Sequence, residues 1–320
     1  LYAWSRKMQL AEITNIDPNA IISRIFIQSQ IWILFGLFVL FGYVFMSLRG
    51  RSPQATDRSN PTVAADKEQR SNLSSAPVRL LRSAAAPLAM TVILSSALVM
   101  SFSRSFWLAG LLSLLLFCGV LLFILREKFN KVLIFGATSS GIIAAAVLLT
   151  LGVAAFPLPR VSSSTDFLKN RASQFKEAAA NSRVAQIRPL LTAIAKHPAV
   201  GSGFGTAGTY QSQDPRVLKN HPDGWYTTTA FELGWLEMWL KIGLLGVGAY
   251  LYLLCQIVKA GWKKFGSFGC NSGHSDRYII LGGLFGLMAV VVTHGLSPYL
   301  NHPLGIGVVM LVTAMIDNRS

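Results

Sequence analysis

The chain has 320 residues, of which 52% are hydrophobic and 13% are charged, and its formal net charge is +15. Soluble domains carry about 25% charged residues, so this composition excludes an ordinary soluble globular protein. The Lys and Arg residues cluster beside long apolar runs, where such residues set membrane topology and meet anionic head groups. We therefore expect membrane lipids as partners and no nucleic acid.

Seven apolar runs have the length, or nearly the length, of a spanning helix, which needs about 20 residues. In chain order the runs are 31–48, 87–102, 106–125, 132–156, 230–258, 278–296 and 304–316. The second and the last are short. The sequence predicts an all-α fold, a polytopic transmembrane helical bundle with a large and partly helical loop on the outer side.

The orientation follows from the short loops, because long loops escape the positive-inside rule. The basic stretches 126–131 and 259–277 predict cytoplasmic loops, whereas the turn 297–303 lacks Lys and Arg and should face outward. Alternation of the helices then places 49–86 inside. That segment is rich in Ser, Pro, Ala and charge, which is typical of a flexible linker.

These assignments divide the chain into an outer segment 1–30, helices with the linker over 31–156, an outer loop 157–229 and C-terminal helices over 230–320. The loop carries nine Lys or Arg residues against four Asp or Glu. A basic translocated loop indicates an anionic ligand. The chain begins with Leu1 rather than Met, so we expect further helices to precede the segment 1–30 in a longer protein.

Within the loop, residues 182–197 have helical spacing with one apolar face. The residues of this face are Val184, Ile187, Leu191 and Ile194. Pro189 conflicts with an unbroken helix, so we expect a kink or a helix start near Arg188. The stretch 197–205 follows, with glycines at alternate positions that let the backbone come close to another group.

Arg104 lies in the turn Ser103-Arg104-Ser105 between two apolar runs. An arginine at this depth is unfavourable unless it faces water, a partner or an anion. One interpretation is a helix-end side chain that reaches the interface. The other is a fork of N–H donors that binds a phosphate at the outer membrane surface.

Three charged residues lie near the start of the fifth apolar run. Glu237 and Lys241 are four residues apart, which favours a structural ion pair on one helix face. Glu232 has no such partner nearby in the sequence. It is either an ordinary interfacial carboxylate or a general base.

Taken together, these motifs resemble the O-antigen ligase and O-antigen polymerase family of bacterial membrane proteins. The resemblance covers about residues 90–260 and keeps the order of the family's motifs. Its elements are the turn Ser103-Arg104, an Arg-led helix from Arg183 to the pattern Pro198, Gly201 and Gly203, and the closing Gly243-Leu244-Leu245-Gly246. Family members are longer, with more helices ahead of the Ser-Arg turn.

One position departs from the family pattern. Counting back from Gly243, Glu232 stands where many ligases carry a His that is thought to lie near the acceptor hydroxyl. A Glu can also accept a proton. The exchange favours a polysaccharide polymerase or another branch of the family over a ligase.

The resemblance implies transfer of a glycan from an undecaprenyl-diphosphate carrier to a hydroxyl acceptor, either a glycan or a lipid, at the periplasmic face of the bacterial cytoplasmic membrane. It implies that Arg104, Arg183 and Arg188 bind the diphosphate, and that Glu232 is the catalytic base. His221 and His302 fall on the same side and are accessory candidates.

No cofactor and no metal are expected, because neither an Asp-x-Asp nor a His-Glu-x-x-His pattern is present. The three scattered cysteines predict no disulfide framework. Two other functions stay open, namely an anion transporter and a non-catalytic scaffold of envelope assembly. A transporter would show broken helices and charges buried in the membrane.

Overall fold

The fold is seen in a computed structural model. It describes residues 11–15, 23–27, 29–49, 86–101, 103–155, 178–212, 215–218, 221–267 and 274–317. Most of the expected linker, residues 50–85, lies outside these ranges. So do 156–177 at the start of the loop.

The described elements in the first half are two short strands and four helices. They are β1 (Ala11–Asn15), β2 (Ser23–Ile27), α1 (Gln30–Arg49), α2 (Ala86–Met100), α3 (Arg104–Gly119) and α4 (Phe129–Ala155). A π-helical turn, Val120–Ile124, continues α3. The strands pair antiparallel, with Ala11 opposite Ile27.

The second half holds the rest of the loop and the three C-terminal helices. Its elements are α5 (Ala178–Ile194), β3 (Gly208–Gln211), α6 (Pro215–Leu218), β4 (Trp225–Thr228), α7 (Gly234–Ser267), α8 (His274–Leu296) and α9 (Pro303–Asp317). Strands β3 and β4 form an antiparallel hairpin in which Tyr210 lies opposite Tyr226.

The predicted all-α, polytopic fold is confirmed. Among the described residues, four helical segments are long and apolar enough to cross a membrane: Ser105–Ile124, Phe129–Gly152, Gly234–Ser267 and Arg277–Leu296. Three shorter apolar helices correspond to the remaining predicted runs: Gln30–Phe45, Ala86–Met100 and Pro303–Asp317. The two hairpins were not predicted.

Helix α8 forms the centre of the bundle and packs most closely on α1. The two backbones meet where both helices carry glycine. A Cβ atom at Gly282 would lie 2.5 Å from the carbonyl oxygen of Phe38, and one at Gly42 would collide with the backbone of Tyr278. Small residues allow this approach between membrane helices. Buried aromatic rings fill the space beside it, among them Phe45, Phe135 and Tyr278.

Contacts between helix ends sort the loops into two groups. At one end, the hydroxyls of Ser105 and Ser297 lie 3.4 Å apart, and His294 at the end of α8 contacts Met238 near the start of α7. At the opposite end, the Tyr278 hydroxyl donates to Glu127 at 3.2 Å. This grouping agrees with the predicted alternation. Assignment of the first group to the outer side rests on the positive-inside pattern and stays a prediction.

Candidate functional site

Helix α5 packs against the beginning of α7 through a small apolar core. Leu190 and Ile194 of α5 are 1% and 4% exposed, and they meet Phe231 and Leu240. The helix begins at Ala178 and Pro189 lies inside it. Of the two expected alternatives, a kink or a start near Arg188, the start is therefore excluded. This docking fixes which face of α5 is turned toward the bundle.

Of the four residues on the predicted apolar face of α5, only one is buried. Ile194 is buried, but Val184, Ile187 and Leu191 are 67%, 37% and 46% exposed. The face turned to α7 carries Gln186 and Leu190 in their place. Since α5 is apolar on two sides, periodicity alone did not identify the side that packs on protein.

Arg183 and Glu232 form an ion pair across the junction between loop and bundle. The Nε–H of Arg183 donates to Oε2 of Glu232 at 2.6 Å, and the two side chains are 32% and 36% exposed. Glu232, which has no charged partner nearby in the sequence, therefore has one 49 residues away. The pair is half-buried and open to solvent on one side.

Gln186 fixes the backbone at Glu232. Its Oε1 accepts a hydrogen bond from the Glu232 backbone N–H at 3.0 Å, and its side chain is 1% exposed. Gln186 follows Arg183 by three residues, so both side chains project from the same face of α5. The sequence analysis missed this residue, although its spacing from Arg183 is the signal that could have identified it.

Replacing Gln186 by Leu is expected to lower the free energy of unfolding by about 1 kcal/mol, because the partly buried N–H of Glu232 loses its acceptor. Thermal unfolding of the purified protein in lipid nanodiscs measures the change. Thr192→Val, which removes a polar group at an exposed position of the same helix, is the control. Equal stability of Gln186→Leu and the unmodified chain would contradict this role.

The glycine-rich stretch after α5 docks into a break in α7. The break is at Gly243, whose φ of 69° and ψ of 177° are not helical. In an unbroken helix the N–H groups of Leu244 and Leu245 would donate to the carbonyls of Leu240 and Lys241. Here they donate to Pro198 and Ala199 of the stretch, at 2.9 and 3.1 Å.

The carbonyls released by the break are satisfied by the same stretch. Ser202 N–H donates to the Leu240 carbonyl at 2.7 Å, and Gly203 N–H donates to the Lys241 carbonyl at 3.0 Å. The glycine-rich stretch thus replaces two helical hydrogen bonds with four of its own. The two motifs around Gly201 and Gly243 are complementary halves of one contact.

Side chains reinforce this junction. Trp239 Nε1 donates to the Pro198 carbonyl at 2.9 Å. Glu237 and Lys241 form the expected ion pair, with side chains that are 2% and 11% exposed. The Lys241 ammonium also lies 5.7 Å from the centre of the Phe204 ring, which ties the stretch to α7 by a cation–π contact.

Arg104 is the first residue of α3, and its side chain lies outside the described residues. The serines around it are buried and linked to one another. Ser103 and Ser105 have their hydroxyls 3.1 Å apart, and the Ser103 N–H donates to the Ser101 hydroxyl at 3.2 Å. The Ser105 hydroxyl also lies 3.4 Å from the Ser297 hydroxyl, which joins the start of α3 to the turn after α8.

The other candidates lie apart from the ion pair. Arg188 is exposed and follows Arg183 by five residues, which places it about 140° around the helix axis. The His221 ring packs edge-on against Tyr226 of the hairpin, and His302 Nδ1 accepts from the Leu304 N–H at the start of α9. Within the described ranges, no hydrogen bond or ion pair joins these three side chains to Arg183 or Glu232.

The part of the chain that the structure describes contains no group of three or more His, Cys, Asp or Glu side chains placed to hold a metal ion.

His294, which the sequence analysis left without a role, is fully buried beside the start of α7. Its Nδ1 accepts from the Leu300 N–H at 3.1 Å, and its ring lies edge-on to Trp235. This histidine therefore joins the turn after α8 to α7.

Residues 89–251, just over half of the chain, match the sequence model of a family described as O-antigen ligase. The match begins in α2 and ends beyond the break in α7, so it includes the ion pair and the docked glycine-rich stretch. Neither the comparison with curated proteins nor the comparison with solved structures found a match.

Proposed function

Since the chain belongs to the O-antigen ligase family, we propose that it transfers a glycan from an undecaprenyl-diphosphate carrier to a hydroxyl acceptor. The reaction takes place at the periplasmic face of the bacterial cytoplasmic membrane. The single observation that supports this most directly is the ion pair of Arg183 with Glu232. It puts a phosphate-binding group beside a proton acceptor, at the border between the basic loop and the spanning helices.

Arg183 is suited to binding the diphosphate, which is the leaving group of the reaction. When a glycosyl–phosphate bond breaks, negative charge grows on the diphosphate and needs fixed cations. Glu232 occupies the Nε–H of Arg183, which leaves the two terminal nitrogens of the guanidinium for two parallel bonds to phosphate oxygens. The ion pair therefore orients Arg183 without using its phosphate-binding edge.

Glu232 is suited to removing the proton of the acceptor hydroxyl. Its Oε2 accepts the hydrogen bond from Arg183. We propose that its Oε1 takes the proton from the acceptor hydroxyl. The acceptor oxygen then bonds to the anomeric carbon, and the bond from that carbon to the diphosphate oxygen breaks. Arg183 carries the charge that develops on the departing diphosphate.

Arg104 is a second proposed ligand of the diphosphate, because it begins α3 at the same end of the bundle as the start of α7, which is close to Glu232 in the sequence. Arg188 lies about 140° around the axis of α5 from Arg183. The proposed diphosphate clamp is therefore the pair Arg104 and Arg183. His221 and His302 keep accessory roles only as proposals, since each is held in its own local contact.

The broken helix α7 and its buried Glu237 and Lys241 are features that an anion transporter would share. In transporters, however, the backbone groups freed by such a break face the solute. Here the freed groups around Gly243 bond to the glycine-rich stretch instead. This observation supports a structural role for the break and favours the transferase over the transporter.

Arg183→Lys is expected to reduce glycan transfer about tenfold, because the ammonium keeps the charge but cannot bind a phosphate through two parallel N–H groups. Arg104→Lys should have a similar effect. Transfer is measured in membranes of a deletion strain that carries each variant. Lys196→Ala, which removes an exposed cation just after α5, is the control.

Transfer at the unmodified rate by both Lys variants would refute the diphosphate clamp. The glycan profile of the deletion strain separates the remaining alternatives. Loss of long polymers indicates a polymerase, and loss of attachment to the acceptor indicates a ligase. A scaffold would lose function on deletion but on none of these point substitutions.

A further inference from the structure

The outward face of α5 carries an apolar stripe. Val184, Ile187 and Leu191 stand at positions i, i+3 and i+7 and are 67%, 37% and 46% exposed. A helix between protein and water turns polar residues outward. Because α5 already buries Leu190 and Ile194 against α7, a second apolar face indicates surroundings other than water.

The glycine-rich stretch that follows α5 meets a surface that faces lipid. Four and five residues after α5 ends, the carbonyls of Pro198 and Ala199 accept hydrogen bonds from the backbone N–H groups of Leu244 and Leu245. Those two leucines are 57% and 69% exposed within the spanning helix α7. Two apolar side chains of the glycine-rich stretch beside them are equally open: Val200 at 68% and Phe204 at 66%.

Charge at the border of the stripe fits lipid head groups. Arg188 is exposed and follows Val184 by four residues, so its side chain adjoins the stripe on the helix surface. An arginine at such a border lays its carbon chain on apolar surface and places its charge among lipid phosphates.

We propose that α5 is an interfacial helix that inserts Val184, Ile187 and Leu191 into the outer leaflet of the membrane, with Arg188 at the level of the lipid phosphates. Arg183 precedes Ile187 by four residues, so its side chain borders the stripe on the flank that is turned toward α7 and Glu232. The ion pair of Arg183 with Glu232 is therefore held among the head groups, and, if the proposed function is correct, at the height of a lipid-borne diphosphate.

The test uses the full chain with Cys118, Cys255 and Cys270 replaced by Ser and a nitroxide label on a single new cysteine. The labelled variants are Val184→Cys, Ile187→Cys, Leu191→Cys and, as a control on the polar side, Lys196→Cys. Each is reconstituted in vesicles of phosphatidylethanolamine and phosphatidylglycerol. Collision rates of the label are measured with oxygen, which dissolves in lipid, and with a water-soluble nickel chelate.

We expect the ratio of oxygen to nickel collisions to be several-fold higher at the three stripe positions than at Lys196→Cys. Nickel access at the stripe equal to that of the control would place it in water and overturn the proposal. Low access to both reagents would show that a protein surface, such as a second copy of the chain, covers it, which also overturns the proposal. Because the readout is collision rather than transfer, this result is independent of whether the proposed reaction is correct.

Discussion

Glu232→Gln is expected to reduce glycan transfer by about a hundredfold or more, the range associated with loss of a general base. The amide oxygen of Gln still accepts a hydrogen bond from the Nε–H of Arg183, so the contact that orients the arginine is retained. The capacity to take a proton is lost. The initial rate of transfer in membranes, measured across a range of pH, is the readout.

Glu232→Ala separates the two roles of this carboxylate. If Glu232 serves only to orient Arg183, the Gln variant keeps most of the activity and the Ala variant does not. If it is the base, both are impaired. Glu232→His introduces the residue that many ligases of the family carry here, and partial recovery relative to Gln supports proton transfer at this position. An unchanged rate and pH profile for Glu232→Gln would remove it as the base.

Gly243→Ala is expected to destabilise the protein on the order of 3 kcal/mol or more and to abolish transfer. Its φ of 69° is unfavourable for any residue with a Cβ atom. That atom would also collide with the Ala199 carbonyl oxygen and the Val200 carbonyl carbon. The glycine-rich stretch would have to leave the break, with loss of the four backbone hydrogen bonds between them.

Thermal unfolding in nanodiscs measures the effect, and Gly248→Ala is the matched control. Gly248 lies in the same helix, and a Cβ atom there would meet nothing within 4 Å. Gly201→Ala should behave like Gly243→Ala, since a Cβ at Gly201 would lie 2.5 Å from the Gly243 nitrogen. The double variant should then be little worse than either single one, because both disrupt one contact. Full stability of Gly243→Ala would show that the break does not depend on glycine.

Hydropathy predicted the helices well, because a spanning segment needs only length and apolar composition. The run 132–156 corresponds to Phe129–Ala155, and the run 278–296 lies within His274–Leu296. The run 230–258 gave no sign of the break at Gly243. Glycine is common in membrane helices, and its left-handed conformation here depends on a stretch of chain some 40 residues earlier.

The candidate site was predictable as a set of residue types but not as an arrangement. Arg183 and Glu232 were each chosen for their chemistry, yet their pairing joins positions 49 residues apart and has no local signal. The buried face of α5 was misjudged for a related reason. Periodicity marks an apolar stripe such as Val184 and Leu191 but does not distinguish protein from lipid as the medium that covers it.

The exchange of hydrogen bonds at Gly243 has a consequence for biogenesis. The ribosome synthesises Pro198–Gly203 before Leu240–Leu245, and chains fold from the N-terminal side during synthesis. The earlier stretch cannot reach its final conformation until α7 has entered the bilayer and supplied the missing partners. Arg104, Arg183 and Glu232 are all translated before that moment. A nascent chain that contains every proposed catalytic group is therefore still without an assembled centre, and activity begins only after insertion of α7.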